Sequence, residues 1–556
     1  MIHRKHTQRA IAALALATVA LGAAGFAGSQ HALASRTLAT SQVLQYPNFD
    51  PSSSWPNTLD PANVTDSQSI MVINMIYGNL VKLDSKNAVV PDLATWTVSP
   101  NRKVYTFHLR DTKFSDGNPV TADDVIYSIE RALNPKVNKG APSPVASLYM
   151  GHILGAATYK GSGPLAGLKK IDSKTVQITL DSPISFFLQT LSYPTADILE
   201  KGKTPLNSLT TKNPLQNQIS SGPWKISKFS YKNSLTFVPN PGYYNASKMK
   251  LTEIDMPFVG SQDTMYAGYQ SGQYAMTSVP PKLLPQARTQ PDFHGSPILA
   301  IDYITLDQAK LPFSNKNLRL AVSYAVDRTT INKDVLKGAQ IDLYSVVPRG
   351  IPGYDADGYK YTPHYDLAKA KMYLAKAKAE LGKNFPSSLT IKYQAGSASL
   401  DAEYTELQAN WKAIGLNVKV QSLNFNSWLN LVTKPTTSVT YKGGDPWVEN
   451  LWIDDYPDAQ DFTTNLLTPS TNYNVGNYND PQFNKWTDEA LTAAGSERAQ
   501  LYIKASRKAL NDGAWIMIGQ QTTDWRWKQN IKGMDVWSST SNPYPLNNDW
   551  TNVSVQ

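Results

Sequence analysis

Four histidines, His108, His152, His294 and His364, are scattered through the chain beyond residue 34. No H-E-x-x-H spacing sets two imidazoles on one helix face over a zinc ion. The chain has no cysteine, which removes thiolate catalysis, disulfides and Cys-based metal sites. No G-x-S-x-G elbow presents a serine nucleophile, and no G-x-G-x-x-G follows a strand. Gly202-Lys203-Thr204 has the ending of a P-loop, but Asp197 stands where its first glycine belongs. Paired carboxylates such as Asp454-Asp455 leave a glycosidase open, because its carboxylate spacing is set in three dimensions. No catalytic residue, metal site or cofactor is assigned. The abundant aromatics, 29 Tyr and 13 Trp, offer flat contact area with a polar handle, which suits a ligand cleft and equally a large core.

The elements that must position such residues belong to a long chain. At 556 residues it exceeds what one core supports, so two or three domains are expected. With 41% hydrophobic and 17% charged residues the composition is that of a folded globular protein. The formal charge is +9, three units of which, Arg4, Lys5 and Arg9, lie at the N-terminus. No dense basic run with interleaved aromatics appears, so nucleic acid is not an expected partner. The first 34 residues read as an export signal: a basic start, an apolar run from Ile11 to Ala24, and an Ala32-Leu33-Ala34 cleavage site. The run is short for a bilayer span; a retained anchor is the alternative. Without a cysteine there is no acylated lipoprotein anchor, so the mature chain is expected to be free or held by a partner.

Periodicity supplies the intermediate scale. Ile70, Ile73, Ile76 and Tyr77 mark one face of a helix, and Val104–Leu109 and Val176–Leu180 alternate as strands. Thr121, with Asp124 in the capping-box position, starts a helix that buries Val125, Ile126, Ile129 and Leu133 and stops at Asn134-Pro135. Strands are expected at Trp224–Ile226 and Ser234–Val238, and helices around Leu318–Val326 and Asp366–Leu381. The lysines of the last helix read as a solvated face. The segment 201–221 reads as a domain crossing, and the chain after Gln520 as irregular and strand-like. No 20–50-residue repeat is visible. The fold class is mixed α/β with more than one core.

A set of local patterns is more specific. Thr58-Leu59-Asp60-Pro61-Ala62 comes first, then Val90-Pro91-Asp92-Leu93-Ala94 and Tyr105-Thr106-Phe107-His108-Leu109-Arg110. Lys113-Phe114-Ser115-Asp116-Gly117, Val120–Val125, Ser221-Gly222-Pro223-Trp224, Leu318-Arg319-Leu320-Ala321 and Ala325-Val326-Asp327-Arg328 follow. Tyr365–Ala370 and Trp452-Ile453-Asp454-Asp455-Tyr456-Pro457-Asp458 close the series. In this order and spacing the chain resembles the family 5 extracellular solute-binding proteins, the oligopeptide and dipeptide binders of ABC importers. The resemblance implies a periplasmic-binding-protein-like fold, with two lobes joined by a hinge and a third domain inserted in the first. It implies a signal peptide at 1–34, lobe 1 at 35–78, 216–306 and 520–556, the inserted domain at 79–215, and lobe 2 at 307–519.

The resemblance also implies a site. Thr65, Asp66 and Ser67 match a strand-like segment that pairs with peptide backbone, and Leu451, Trp452 and Ile453 match the opposing one. Asp455 matches the carboxylate that receives a peptide's amino terminus; alternatively it caps an Asp-Tyr-Pro turn. Trp452 could equally be a core tryptophan. Glu449 departs from the pattern: some oligopeptide binders carry an arginine there, which helps neutralise the ligand's carboxylate. The ligand is thus expected to be a longer or blocked peptide, or an oligosaccharide stacked on Trp447 or Trp452. The implied partners are a small solute and the permease subunits of an ABC transporter, with the binder a monomer. A ligand sensor and a secreted hydrolase remain the other functional classes.

Overall fold

The computed structural model describes residues 41–49, 55–206, 209, 211–216, 218–433, 447–534 and 550–556. The expected export signal and its cleavage site lie outside these residues. Among the described residues, no helix is long and apolar enough to cross a membrane.

Two four-stranded sheets come from the first half of the chain. One joins Val43–Gln45, parallel, to an antiparallel run of Glu253–Pro257, Ser234–Pro239 and Trp224–Ser230. The other is antiparallel, with Ala94–Val98, Val104–Leu109, Thr175–Thr179 and Leu168–Lys170 in that order. The helix Ala122–Ala132 packs beside it and starts as expected: the Asp124 carboxylate accepts the Thr121 N–H at 2.8 Å. Helix α1, Ser67–Ile76, differs from expectation. It is buried on nearly every side, including Met71, Val72 and Met75, because it threads the core rather than covering it. Ile70, Ile73 and Ile76 mark one apolar face, and Met71, Val72 and Met75 bury the others.

The third sheet is mixed and holds seven strands: β1 (Met276–Ser278), β2 (Phe293–Leu306), β3 (Gln340–Asp342), β4 (Leu389–Gln394), β5 (Val418–Leu423), β6 (Trp447–Ile453) and β7 (Trp515–Trp527). Their order is β1-β7-β2-β6-β4-β5, with β3 also on β7. The segment beyond Gln520 is therefore a regular continuation of β7 as far as Trp527. Alternation works on both faces of this sheet. Ile304, Leu306, Ile516 and Ile518 enter one core, while Ile301, Tyr303, Trp515 and Met517 enter the opposite one. Trp525 and Trp527, at the far end of β7, belong instead to the core built by the first half of the chain. β2 and β7 thus run from one core to another, and their pairing shifts register between Pro297 and Ile301.

Three helices cover β6 and its surroundings: α2 (Ala398–Ala413), α3 (Phe425–Val432) and α4 (Ala459–Leu467). The expected helix at Leu367–Leu381 buries Ala370, Leu374, Ala377 and Leu381 and exposes its lysines. Mixed α/β structure with several cores is what the periodicity implied.

Candidate ligand-binding site

A cavity of about 480 Å³ lies where α1, β2, β6, β7, α2 and α3 meet. All seven residues singled out from the sequence line it: Thr65, Asp66, Ser67, Leu451, Trp452, Ile453 and Asp455. They come from two stretches almost 400 positions apart.

The first stretch is not a strand. Asp66 has extended backbone (φ −128°, ψ 144°), but its carboxylate accepts the Ser69 N–H at 2.9 Å and caps α1, and Ser67 is already the first helical residue. Thr65 is exposed, so this stretch offers the cavity a helix entrance rather than a sheet edge.

The second stretch is a strand with an available edge. β6 pairs with β2 over its whole length, from Ala300 opposite Ile453 to Leu306 opposite Trp447. On its other side it meets β4 only at Val448 opposite Lys392. The Glu449 carbonyl points to that outer side, where it accepts the Trp428 indole N–H at 3.0 Å. With a period of two, the backbone groups of Leu451 and Ile453 face the same way, into the cavity. An extended ligand can add there as a strand.

The loop after β6 is held from several directions. Asp458, not Asp455, caps α4, accepting the Gln460 N–H at 2.8 Å and a two-pronged bond from Arg498 at 2.7 and 2.8 Å. Tyr456 is fully buried and stacks on Phe186 at 5.8 Å. Asp461 accepts the Trp452 indole N–H at 3.0 Å and the Asp455 backbone N–H at 2.9 Å, so one buried carboxylate orients both site residues. Asp455 is left with its carboxylate toward the cavity, where the Tyr149 hydroxyl donates to it. Burial pushes the Asp455 carboxyl up to about 7; the Tyr149 bond opposes the rise and the neighbouring Asp454 adds to it. A group in that state gains from the arrival of a cation.

Trp452 is half-buried, with its ring edge-on to Tyr473 at 4.8 Å, and retains surface in the cavity. Trp447 cannot stack on a sugar: it is fully buried against Trp411 at 4.4 Å and Phe313 at 5.2 Å. Glu449 does line the cavity, and burial, reinforced by Asp302, pushes its carboxyl up to about 8. Asp302, Glu403, Gln340, Trp428 and Tyr193 line it too and were missed by sequence reasoning. Only Asp302 had a visible signal, an acid inside the apolar strand Leu299–Leu306. The four histidines stay apart. His294 stacks on Trp527 at 3.5 Å, and among the described residues no group of acids, histidines or cysteines could hold a metal ion.

Comparison with known proteins follows the same lines. Residues 88–474 match the family model of bacterial extracellular solute-binding proteins, family 5 middle. The oligopeptide-binding protein OppA of Bacillus subtilis (strain 168) is 26% identical over 490 residues, covering 86% of this chain and 88% of its own. The periplasmic oligopeptide-binding protein OppA of Escherichia coli (strain K12) is 28% identical over 524 residues, covering 91% of each. Among solved structures, the Escherichia coli murein tripeptide binding protein MppA superposes with a TM-score of 0.79 at 24% identity, over 93% of this chain and 99% of that one. The fold is therefore the two-lobed, periplasmic-binding-protein-like α/β fold with an additional inserted domain.

Proposed function

Because the chain belongs to the family 5 bacterial extracellular solute-binding proteins, we propose that it captures a peptide outside the cytoplasm and delivers it to the permease subunits of an ABC transporter. The observation that carries this reading is the pairing, in one cavity, of an open strand edge at Leu451 and Ile453 with the half-buried carboxylate of Asp455. The edge supplies main-chain hydrogen bonds indifferent to sequence, and the carboxylate fixes the amino end. Thr65, Asp66 and Ser67 close the cavity from the α1 side, and Trp452 supplies its flat wall. The relatives named above carry peptide-binding names, which supports the same ligand class.

The lobes are assigned as 35–78, 216–306 and 520–556 for the first, 79–215 for the inserted domain, and 307–519 for the second. β7 crosses from the second lobe to the first, and β2 runs beside it up to the boundary at residue 306. The protein works as a monomer, exported through cleavage after Ala34, and binds without catalysing a reaction on its ligand.

Calorimetry on wild type and Asp455→Ala, with a free and an N-acetylated form of one peptide, tests the reading. Removing one partner of a buried charged hydrogen bond costs about 2–5 kcal/mol. At the lower figure the free peptide binds about 30-fold more weakly to the variant. Wild type must prefer the free amine, and the variant must lose that preference. Equal discrimination by both proteins would show Asp455 to be a structural residue. Binding of a neutral oligosaccharide but of neither peptide would replace the peptide reading altogether.

A further inference from the structure

The ionisable acids and bases that line the cavity are all of one kind. Seven of its described lining residues are Asp or Glu and none is Lys, Arg or His, in a chain whose formal net charge is +9. Three of these acids, Asp302, Glu403 and Glu449, are only 1%, 0% and 2% exposed. They come from β2, α2 and β6. Asp302 sits opposite Leu451 and Glu449 opposite Ile304, so the two acids are diagonal neighbours on one face of the sheet. Glu403 reaches the same place from α2, and its carboxyl is raised by burial first and then by the charges of Asp302 and Glu449.

The hydrogen bonding is incomplete. Asp302 Oδ2 accepts from Gln340 Nε2 at 2.9 Å, and Glu449 Oε2 accepts the Gln394 N–H at 3.2 Å. Asp302 Oδ1, Gln340 Oε1 and both oxygens of Glu403 are buried with no partner among the described residues. Native proteins rarely leave such acceptors unpaired unless a ligand or water completes them. What is missing is a set of donors, and a positive charge to go with them. A metal ion does not fit, since no group of acids among the described residues could hold one. An ammonium or guanidinium group fits: it brings three to five N–H donors on a flexible apolar stem.

Resting on the peptide reading, we propose that Asp302, Glu403 and Glu449 form a subsite for a lysine or arginine side chain of the bound peptide. β6 rises about 3.3 Å per residue, which sets Glu449 about 13 Å along the strand from Ile453. That distance is four residue steps, so with the amino terminus held by Asp455 beside Ile453 the basic residue falls at about the fifth position of an extended ligand. On binding, one carboxyl gives up its proton and pairs with the cation. The others remain protonated and hydrogen-bonded around it. A ligand carboxylate directed at the same place would meet repulsion, so the subsite selects against peptides that end there.

The test uses alanine-based heptapeptides with free amino termini. They carry lysine at position four or five, or norleucine at the same position, which keeps the apolar stem and lacks the ammonium. Wild type should bind the better lysine peptide about tenfold or more tightly than its norleucine partner. In Asp302→Asn/Glu403→Gln, and in the milder Glu403→Gln alone, that ratio should shrink, to within about threefold in the double variant. Norleucine peptides bound as well as lysine peptides by wild type at both positions would overturn the subsite while leaving the peptide reading intact. Full lysine preference in the folded double variant would overturn the assignment to these residues. Failure of all four peptides to bind would overturn the peptide reading and this inference together.

Discussion

Asp302, Glu403 and Glu449 make the ligand-free protein sensitive to alkali. Burial pushes Asp302 up to about 7 and Glu449 up to about 8, and holds Glu403 well above the usual carboxylate range. The phenol of Tyr404, which faces the same group, is also held neutral by burial. In the unfolded chain these carboxyls titrate near pH 4. From about pH 4 to about pH 8 the folded protein therefore holds protons that the unfolded chain has released, so stability falls as pH rises through this window. The melting temperature is expected to drop between about pH 5 and about pH 8.5. Glu403→Gln, which cannot ionise, should gain on wild type over that interval, by roughly 2 °C or more at the upper end. A constant difference between the two proteins across the interval would show that Glu403 does not titrate there. At this scale, what was legible was what a local motif carries. Asp455 and Trp452 stand inside a patterned run, whereas Glu403 sits on a helix whose sequence has no strong apolar stripe. The acid becomes visible only when the helix lies over β2 and β6.

The elements carry the recognition of backbone. β6 presents the outward groups of Leu451 and Ile453 at a two-residue period, so a ligand strand beside it alternates between amides that pair and amides that do not. N-methylation of successive peptide bonds in the ligand should reflect this. Methylation at a pairing amide should weaken binding roughly fivefold or more, and at its neighbours much less. A uniform loss along the peptide would mean that the ligand does not add to β6 as a strand. Strands and capped helices were legible at this scale because period and cap chemistry are local: Val104–Leu109 and the Thr121–Asp124 cap appear where the spacing put them. α1 was legible as a helix but not as a buried one. Nor could Ser221-Gly222-Pro223 explain its own glycine. A Cβ on Gly222 would lie 2.6 Å from the Tyr77 carbonyl oxygen, a contact between residues 145 positions apart.

At the scale of the whole molecule, the fold class followed from alternating strands and helices, and the lobed architecture only from the ordered series of motifs. Periodicity could not show that two long strands pass between cores, because β2 and β7 read locally as ordinary apolar strands. Their crossing carries the register shift between Pro297 and Ile301, and we propose it as the place where one lobe swings on the other. Tyr149, which donates to Asp455, and Phe186, which stacks on Tyr456, reach the loop after β6 from the stretch proposed as the inserted domain. In this account ligand capture and lobe closure are the same event. A ligand favours the closed arrangement by as much as it gains from contacts present only there. Small-angle scattering on ligand-free protein, and on the same protein saturated with a peptide shown by calorimetry to bind one to one, measures this directly. The account predicts a smaller radius of gyration in the complex, and superimposable curves at saturation would contradict it.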